Sequence, residues 1–186
     1  NDKALFNYNL QGQNLNVTRA YEDIELFNDL VPAAANADGV NSLDYEISGI
    51  LDQQMSPVIP SLEGGVTQSV HDVQFKNYKL FGKVSKESRL GALKDPKLKE
   101  STVHSTIDDN ILELERFKFK VHPFRLRMEG ETTLDGDMDL QMRLGLPPFG
   151  LIGIPIKITG TSDSLKIKMG RREKDLMALE YDDDEF

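Results

Sequence analysis

Residues Phe117–Leu144 read FKFKVHPFRLRMEGETTLDGDMDLQMRL, and this stretch decides the fold class. Large apolar side chains alternate with lysine, arginine, glutamate or aspartate through most of it. Successive side chains of a β-strand point to opposite faces of the sheet. The pattern therefore predicts strands with one apolar and one charged face, which is typical of an antiparallel sheet with one face in water.

The first turn of this stretch, His122-Pro123, predicts how two of the strands pair. A two-residue link at this point aligns apolar residues with apolar residues, in the pairs Val121–Phe124, Phe119–Leu126 and Phe117–Met128. Proline is unusual as the second residue of such a turn. We therefore expect an irregular turn or a cis peptide bond.

The second turn contains Asp135-Gly136, a strong hairpin signal. A strict two-residue turn there would place Arg143 opposite Met128 and so put a charge on the apolar face. We therefore expect a three-residue loop or a bulge. The expected pairs are Leu134–Met138 and Met128–Leu144.

The same alternation continues outward from this stretch in both directions. Its apolar members are Phe6, Tyr8 and Leu10, then Leu43, Tyr45, Ile47 and Leu51, then Val73 and Phe75, then Leu112 and Leu114, then Ile154, Ile156 and Ile158, and finally Leu165, Ile167 and Met169. Two segments have helical spacing instead: one from a Thr18 cap through Leu30, and a weaker one between Asn77 and Leu93. The predicted fold class is α+β: a mostly antiparallel, curved β-sheet, a meander forming an open half-barrel, with about two helices packed on it.

Composition narrows the classes of function. The chain has 186 residues, a net charge of −9 and no cysteine, which excludes disulfides and thiolate metal sites. We expect no nucleic-acid partner, because such binding needs a basic surface that releases counterions. Residues 171–186 hold seven acidic and three basic residues. The predicted organisation is one β-rich domain over residues 1–170 and an acidic, disordered tail over residues 171–186.

Catalytic motifs are missing from the sequence. It contains no glycine-rich phosphate loop, no zinc-type histidine pair and no nucleophile elbow. His71, His104 and His122 each lie at or beside a predicted strand or turn, where surface roles are typical. We therefore expect no enzyme, no catalytic residue, no cofactor and no metal site.

One acidic run resembles the beginning of a calcium loop. Asp135, Asp137 and Asp139 have the required spacing, but Leu140 stands where the loop needs glycine and Leu146 where it needs glutamate. We interpret the run as a hairpin turn.

The apolar face of the predicted sheet is the most informative feature for function. An ordinary protein buries such a face against helices or a second sheet, and this remains one alternative. The other alternative is that part of this face forms an open groove for acyl chains, because Met and Phe side chains are large and adaptable and need no hydrogen-bond partner. The candidate lipid-facing residues are Phe117, Phe119, Phe124, Leu126, Met128, Met138, Leu140 and Met142.

The order of several short motifs resembles the C-terminal region of the AsmA family, particularly its Bacteroidetes-like members. The match spans roughly residues 43–169. The motifs that carry it are Gly49-Ile50-Leu51-Asp52, Gln54-Met55-Ser56-Pro57, Ser61-Leu62-Glu63-Gly64-Gly65, Val73-Gln74-Phe75, Asp95-Pro96, the run from Ile107 to Leu114, Gly130-Glu131-Thr132-Thr133-Leu134-Asp135-Gly136 and Ile158-Thr159-Gly160-Thr161.

The resemblance implies a location and a role. AsmA-like proteins are anchored in the inner membrane of Gram-negative bacteria, with a large periplasmic portion that supports outer-membrane biogenesis. They are similar to TamB-like and chorein-type proteins, whose sheets form grooves for lipid transport. The implied partners are phospholipid or another acyl lipid and other envelope proteins, with no catalytic residues. We expect this chain to be a periplasmic portion whose anchor lies outside it. The alternative is a purely structural or protein-binding β-domain with a covered core.

Overall fold

The structure is a computed structural model that describes residues 4–148, 150, 152–161 and 163–170. Within them the chain forms one open sheet of nine strands, in which each strand pairs antiparallel with the next along the sequence. The strands are β1 (Ala4–Asn16), β2 (Ala37–Leu51), β3 (Glu63–Phe75), β4 (Lys97–Asp108), β5 (Ile111–Val121), β6 (Phe124–Thr133), β7 (Met138–Gly145), β8 (Gly153–Gly160) and β9 (Lys166–Met169). The prediction of a mostly antiparallel sheet is confirmed.

The helices lie in the two segments that the helical spacing indicates, but they number three rather than about two. They are α1 (Val17–Asp23), α2 (Glu25–Leu30) and α3 (Lys79–Ser88). The prediction of one helix through Leu30 is wrong, because Ile24 has extended backbone angles and separates α1 from α2. The cap is also different: the Asn16 side chain accepts a hydrogen bond from the Arg19 N–H at 3.0 Å, so the helix begins before Thr18.

The hairpin at His122-Pro123 forms as predicted. The three expected pairs, Val121–Phe124, Phe119–Leu126 and Phe117–Met128, are all present in the register of β5 and β6. The His122–Pro123 peptide bond is cis.

The prediction for the next turn is wrong. Met138 lies opposite Thr132, and Met128 lies opposite Met142. The loop is longer than expected because the Leu134 N–H donates to the Asn110 carbonyl, which ties Leu134 to the turn between β4 and β5. The register differs from the expected one by two residues, so apolar residues still face apolar residues across β6 and β7.

The core consists of two clusters on one face of the sheet. The first involves β1 to β5 and is covered by α1, α2 and a short 3-10 turn at Pro32–Asn36. The second involves β5 to β9 with Leu98 of β4, and it is covered by α3 and a 3-10 turn at Gly91–Leu93. Phe75 and Leu114 contact both clusters, so the apolar layer is continuous.

Two glycines permit close approach between neighbouring strands. Gly64 has φ +148° and lies opposite Ile47, and a Cβ added to it would lie 2.0 Å from the Glu46 carbonyl oxygen. Gly130 repeats this arrangement opposite Leu140, with φ +135° and 2.3 Å to the Asp139 carbonyl oxygen. Only glycine adopts this backbone without strain. Both positions belong to the motifs quoted above.

The predicted division into a domain over residues 1–170 and an acidic tail stays a prediction. Residues 171–186 lie outside the described part of the chain. In the described part, no helix has the length and apolar character needed to cross a membrane.

Candidate functional site

The eight residues predicted to face lipid lie together on one face of β5, β6 and β7. Six are buried in the second cluster, and Phe117 and Met138 are half-buried at its margin. The register places Phe119 opposite Leu126, and Met128 opposite Met142. The buried six are Phe119, Phe124, Leu126, Met128, Leu140 and Met142. Most of the candidate face is therefore packed as protein core.

Helix α3 covers this face. Its buried apolar side chains are Leu80, Phe81 and Val84, which belong to the same cluster as the candidate residues. Lys83 donates from Nζ to the Leu165 carbonyl, and Lys79 forms an ion pair with Asp163. These bonds join α3 to the segment between β8 and β9, about eighty residues further along the chain. An acyl chain would reach the buried six residues only after α3 moved.

The margin of the cluster is more accessible. The rings of Phe117 and Phe119 stack with centroids 5.6 Å apart, and Phe117 is half-buried whereas Phe119 is buried. Met138 is half-buried as well. These two half-buried side chains are the part of the candidate set that solvent reaches.

The opposite face of the sheet divides by charge. On the first four strands it carries polar and acidic residues, and Glu46, Thr67 and His104 together with Glu115 of β5 line a shallow depression of about 510 Å³. On β5 to β9 the outward positions carry many cations, together with the carboxylates Glu129, Glu131 and Asp139. The cations are Lys118, Lys120, Arg125, Arg127, Arg143, Lys157, Lys166 and Lys168. We call this set the basic face.

The three histidines have local roles. The Nδ1 atom of His104 lies 3.0 Å from the Thr67 hydroxyl, and His71 lies 3.4 Å from the Asp72 carboxylate. His122 is exposed and belongs to the cis turn. Among the described residues, no group of three or more His, Cys, Asp or Glu side chains is placed to hold a metal ion.

The acidic run forms a hairpin loop and its flanks. The Asp135 carboxylate accepts a hydrogen bond from Asn110 at 2.8 Å, and the Asp137 N–H donates to the Thr133 hydroxyl at 3.0 Å. Asp139 lies 3.6 Å from the Lys157 ammonium. Each of these groups thus contacts a residue of a turn or of a neighbouring strand, in line with the hairpin interpretation.

Polar groups are buried beneath the helices of the first cluster. Asn41 and Tyr45 share the apolar face of β2 with Leu43, and both are fully buried. Burial, and secondarily the charge of Tyr8, raises the pKa of Tyr45 well above its usual range. The Tyr45 hydroxyl therefore stays protonated, and it is an unsuitable general base at neutral pH.

The two edges of the sheet differ, and the sequence analysis did not identify this difference. Strand β1 has 13 residues and contains neither a charged residue nor proline. It pairs with β2 in continuous register from Ala4 to Gly12, and no other described strand lies beyond it. Strand β9 has four residues, two of which are lysines. The sequence signal that could have identified this edge is the alternation of apolar and uncharged polar residues over Ala4–Asn16.

Comparison with family models, with curated proteins and with solved structures finds no match to this chain.

Proposed function

We propose that this chain is a non-catalytic β-sheet module of an AsmA-like envelope protein, located in the periplasm, and that its β1 edge pairs with a further β-strand. The observation that carries the proposal is the exposed backbone of β1. The rest of the module acts as a scaffold whose apolar face is its own core. This is the structural, protein-binding alternative of the sequence analysis, in a protein that supports outer-membrane biogenesis.

Edge strands carry unpaired N–H and C=O groups, which pair readily with another strand. Proteins usually block such edges with lysine, proline, bulges or short strands. Over Ala4–Gly12 the β1 edge has none of these, since the register shift begins only after Gly12. Phe6, Tyr8 and Leu10 are half-buried on the apolar face. An added strand would complete both their burial and the backbone hydrogen bonds of β1.

The proposal also includes the shape of the sheet, which we infer to be a curved, open half-barrel. A curved half-barrel is supported by α3, which follows β3 in the sequence yet packs against β9 at the far edge. A flat nine-strand sheet would keep these elements about 29 Å apart at the usual spacing of about 4.8 Å between strands. Curvature brings the distant strands beneath one helix.

A second candidate function is acyl-chain binding, and the half-buried margin of Phe117 and Met138 supports it. Each buried CH₂ of an acyl chain contributes about 0.8 kcal/mol. A chain lying along this margin would gain useful affinity without displacing α3. The ligand would be a phospholipid or another acyl lipid.

Strand addition is tested with a synthetic peptide of residues 37–51, because β2 already matches the alternation of β1. We expect hydrogen exchange at alternate β1 amides to slow when the peptide is added, with no change in β9. Asn7→Lys with Asn9→Lys places two charges on the edge and should weaken the effect at least tenfold. Thr67→Lys with Ser69→Lys, on the central strand β3, is the matched control. Unchanged β1 exchange at millimolar peptide would exclude the proposal.

Acyl-chain binding is tested separately with phospholipid vesicles that carry a fluorescent acyl chain. We expect saturable transfer of the probe to the protein, and Phe117→Asn should reduce it several-fold. Leu5→Asn is the control, because Leu5 is 78% exposed and lies on β1. Absence of transfer, together with absence of lipid in an extract of the purified protein, would remove the second candidate and leave the first intact.

A further inference from the structure

The uninterrupted part of the β1 edge has Tyr8 at its midpoint. Strand β1 pairs with β2 in continuous register from Ala4 to Gly12, and the register shifts between Gly12 and Leu15. No described strand lies on the other side of β1. Nine residues of regular strand therefore border this edge, with four on each side of Tyr8.

The sequence of this stretch has the same pattern when it is read from Tyr8 in either direction. The neighbours on the two sides are asparagines, Asn7 and Asn9, and both are exposed on the outer face. The next residues, Phe6 and Leu10, are large and apolar, and they pack half-buried against the first cluster. A strand with this symmetry matches a second copy of itself that is turned by half a rotation about Tyr8.

Such a rotation produces an antiparallel pair in which the faces agree. Tyr8 would lie opposite Tyr8, and Asn7 would lie opposite Asn9. Phe6 would lie opposite Leu10, so apolar residues meet on the inner face and amides on the outer face. The backbone groups agree as well, because residues an even number of positions apart direct their N–H and C=O groups to the same side of a strand.

Other registers of β1 with itself are less favourable. A shift of one residue would place Phe6 opposite Asn9, which sets the apolar face of one copy against the polar face of the other. A shift of two residues keeps the faces aligned but leaves two of the nine residues of each copy without a partner. The pair centred on Tyr8 uses the whole stretch.

Charge also favours the β1 edge over the β9 edge. Strand β1 carries no charged residue, so two copies meet there without like-charge repulsion. Two copies of β9 paired in the same way would place Lys166 opposite Lys168. Pairing β1 of one copy with β9 of another would use only the four residues of β9. Of the two edges of the described sheet, β1 is therefore the one that suits a second copy.

We propose that the further strand at the β1 edge is β1 of a second copy of this chain, related by a two-fold axis through Tyr8. This inference rests on the proposed function and names its partner. Each copy contributes the same edge, so assembly stops at two chains and joins two nine-stranded sheets into one. The contact is small for a protein interface, so the dimer dissociates on dilution.

Sedimentation equilibrium of the full chain tests the assembly. As the concentration rises into the millimolar range, we expect the mass to double and to rise no further. Asn7→Lys with Asn9→Lys places lysines opposite lysines and should leave a monomer. Asn7→Asp with Asn9→Asp should do the same with carboxylates. An equal mixture of these two variants should restore the dimer, since each lysine then faces a carboxylate. Thr67→Lys with Ser69→Lys, on the central strand β3, is the matched control and should dimerise like the unaltered chain.

The absence of cysteine allows a test of the register. Asp44 is exposed on β2, opposite Gln11, and Asp44→Cys provides one site for a nitroxide label. With the axis through Tyr8, the two labelled positions lie three strand spacings apart across the sheet and six residues apart along it, or about 25 Å. A shift of two residues changes this separation to about 20 or about 31 Å. Pulsed electron paramagnetic resonance distinguishes these distances.

The outcomes separate this inference from the proposed function. A chain that stays monomeric at millimolar concentration, while the peptide of residues 37–51 still slows β1 exchange, would overturn the second copy as the partner and leave strand addition intact. Failure of both experiments would exclude strand addition itself. A dimer that both pairs of charge variants still form, or a label separation other than about 25 Å, would overturn the pairing through Tyr8.

Discussion

The two ends of this sheet are built from the same hydrogen-bonded meander but differ in edge, charge and cover. The β1 end presents a long edge without charge, whereas the β9 end has four residues with two lysines. The outer face is polar and acidic on the first strands and basic on the last ones. The proposed function assigns a further strand to the β1 end, whereas the short, lysine-bearing β9 edge is of the kind that discourages pairing.

The helices that cover the two ends of the sheet also differ in their sequence distance from the strands on which they pack. Helices α1 and α2 follow β1 directly; α1 packs on β2, which comes next among the strands, and the buried side chains of α2 belong to the same cluster. Helix α3 follows β3 but packs over strands β5 to β9, so its contacts are distant in sequence. The contacts of α1 and α2 are therefore mostly local in sequence, whereas those of α3 join residues that are far apart in the chain.

The largest expected effect comes from removing one aromatic side chain from each cover. Phe27 in α2 and Phe81 in α3 are both buried, and each change to Ala should lower the free energy of unfolding by about 3–5 kcal/mol. Hydrogen exchange should separate them, because local unfolding follows contiguous units. Phe81→Ala should expose β6 to β9 more than β2, and Phe27→Ala should do the reverse. Equal loss of protection everywhere would show one cooperative unit instead.

The next largest effect is expected at Gly64, where β3 approaches β2 closely. Gly64→Ala forces a side chain into a positive φ and against the Glu46 carbonyl, which should cost about 1–3 kcal/mol in urea unfolding. The adjacent Gly65 is the matched control, since an added Cβ there meets no atom within 4 Å. Gly65→Ala should be neutral or slightly stabilising. Equal destabilisation by both changes would contradict this account.

A smaller effect is expected at the N-terminus of α1. The Asn16 side chain caps α1 by accepting from the Arg19 N–H, so Asn16→Ala should lower the free energy of unfolding by about 1 kcal/mol. Thr18→Ala is the control, because its hydroxyl makes only a 3.5 Å contact with the Ala37 carbonyl. Thermal unfolding followed by circular dichroism compares the two. A larger loss for Thr18→Ala would identify Thr18 as the cap after all.

The smallest effect is expected at the ion pair of Lys79 with Asp163, which joins α3 to the segment between β8 and β9. Lys79 lowers the pKa of Asp163 through a hydrogen bond and through its charge. A carboxyl group with a lowered folded pKa stabilises the fold above its unfolded pKa of about 3.9. That contribution is lost as the pH falls through the folded pKa.

Asp163→Asn should therefore lower the Tm slightly at pH 7, and this difference should shrink as the pH falls through the folded pKa and the carboxyl group becomes protonated. Both side chains are exposed, so salt should reduce the difference further. A Tm difference that does not shrink as the pH is lowered would mean that Asp163 acts through packing rather than charge.

Local patterns were sufficient for much of the fold. Alternation identified the strands from β5 to β9, and the His122-Pro123 link set the β5–β6 register correctly. The next register was wrong because the Leu134 N–H bonds to Asn110, 24 residues earlier. The split at Ile24 was likewise missed, since helical spacing persists across one extended residue.

The candidate site shows the same limit. Sequence placed eight apolar residues on one face, and the register brings them together. The sequence did not show that α3 covers these residues. Helix α3 precedes β5 in the chain, and the spacing of its apolar residues does not specify the strands on which it packs. The alignment of Lys118, Arg127 and Arg143 across β5, β6 and β7 was also missed, since these residues become neighbours only through strand pairing.

The sequence by itself determined which side chains share a face, because a strand's period of two is a local property of the backbone. It also determined that residues 4–16 carry no charge and that residues 171–186 are acidic. Only the tertiary structure decided that α3 covers the apolar face of β5 to β9 and that Lys118, Arg127 and Arg143 form one row. Those outcomes depend on contacts between residues far apart in the chain, which packing selects and local spacing cannot encode.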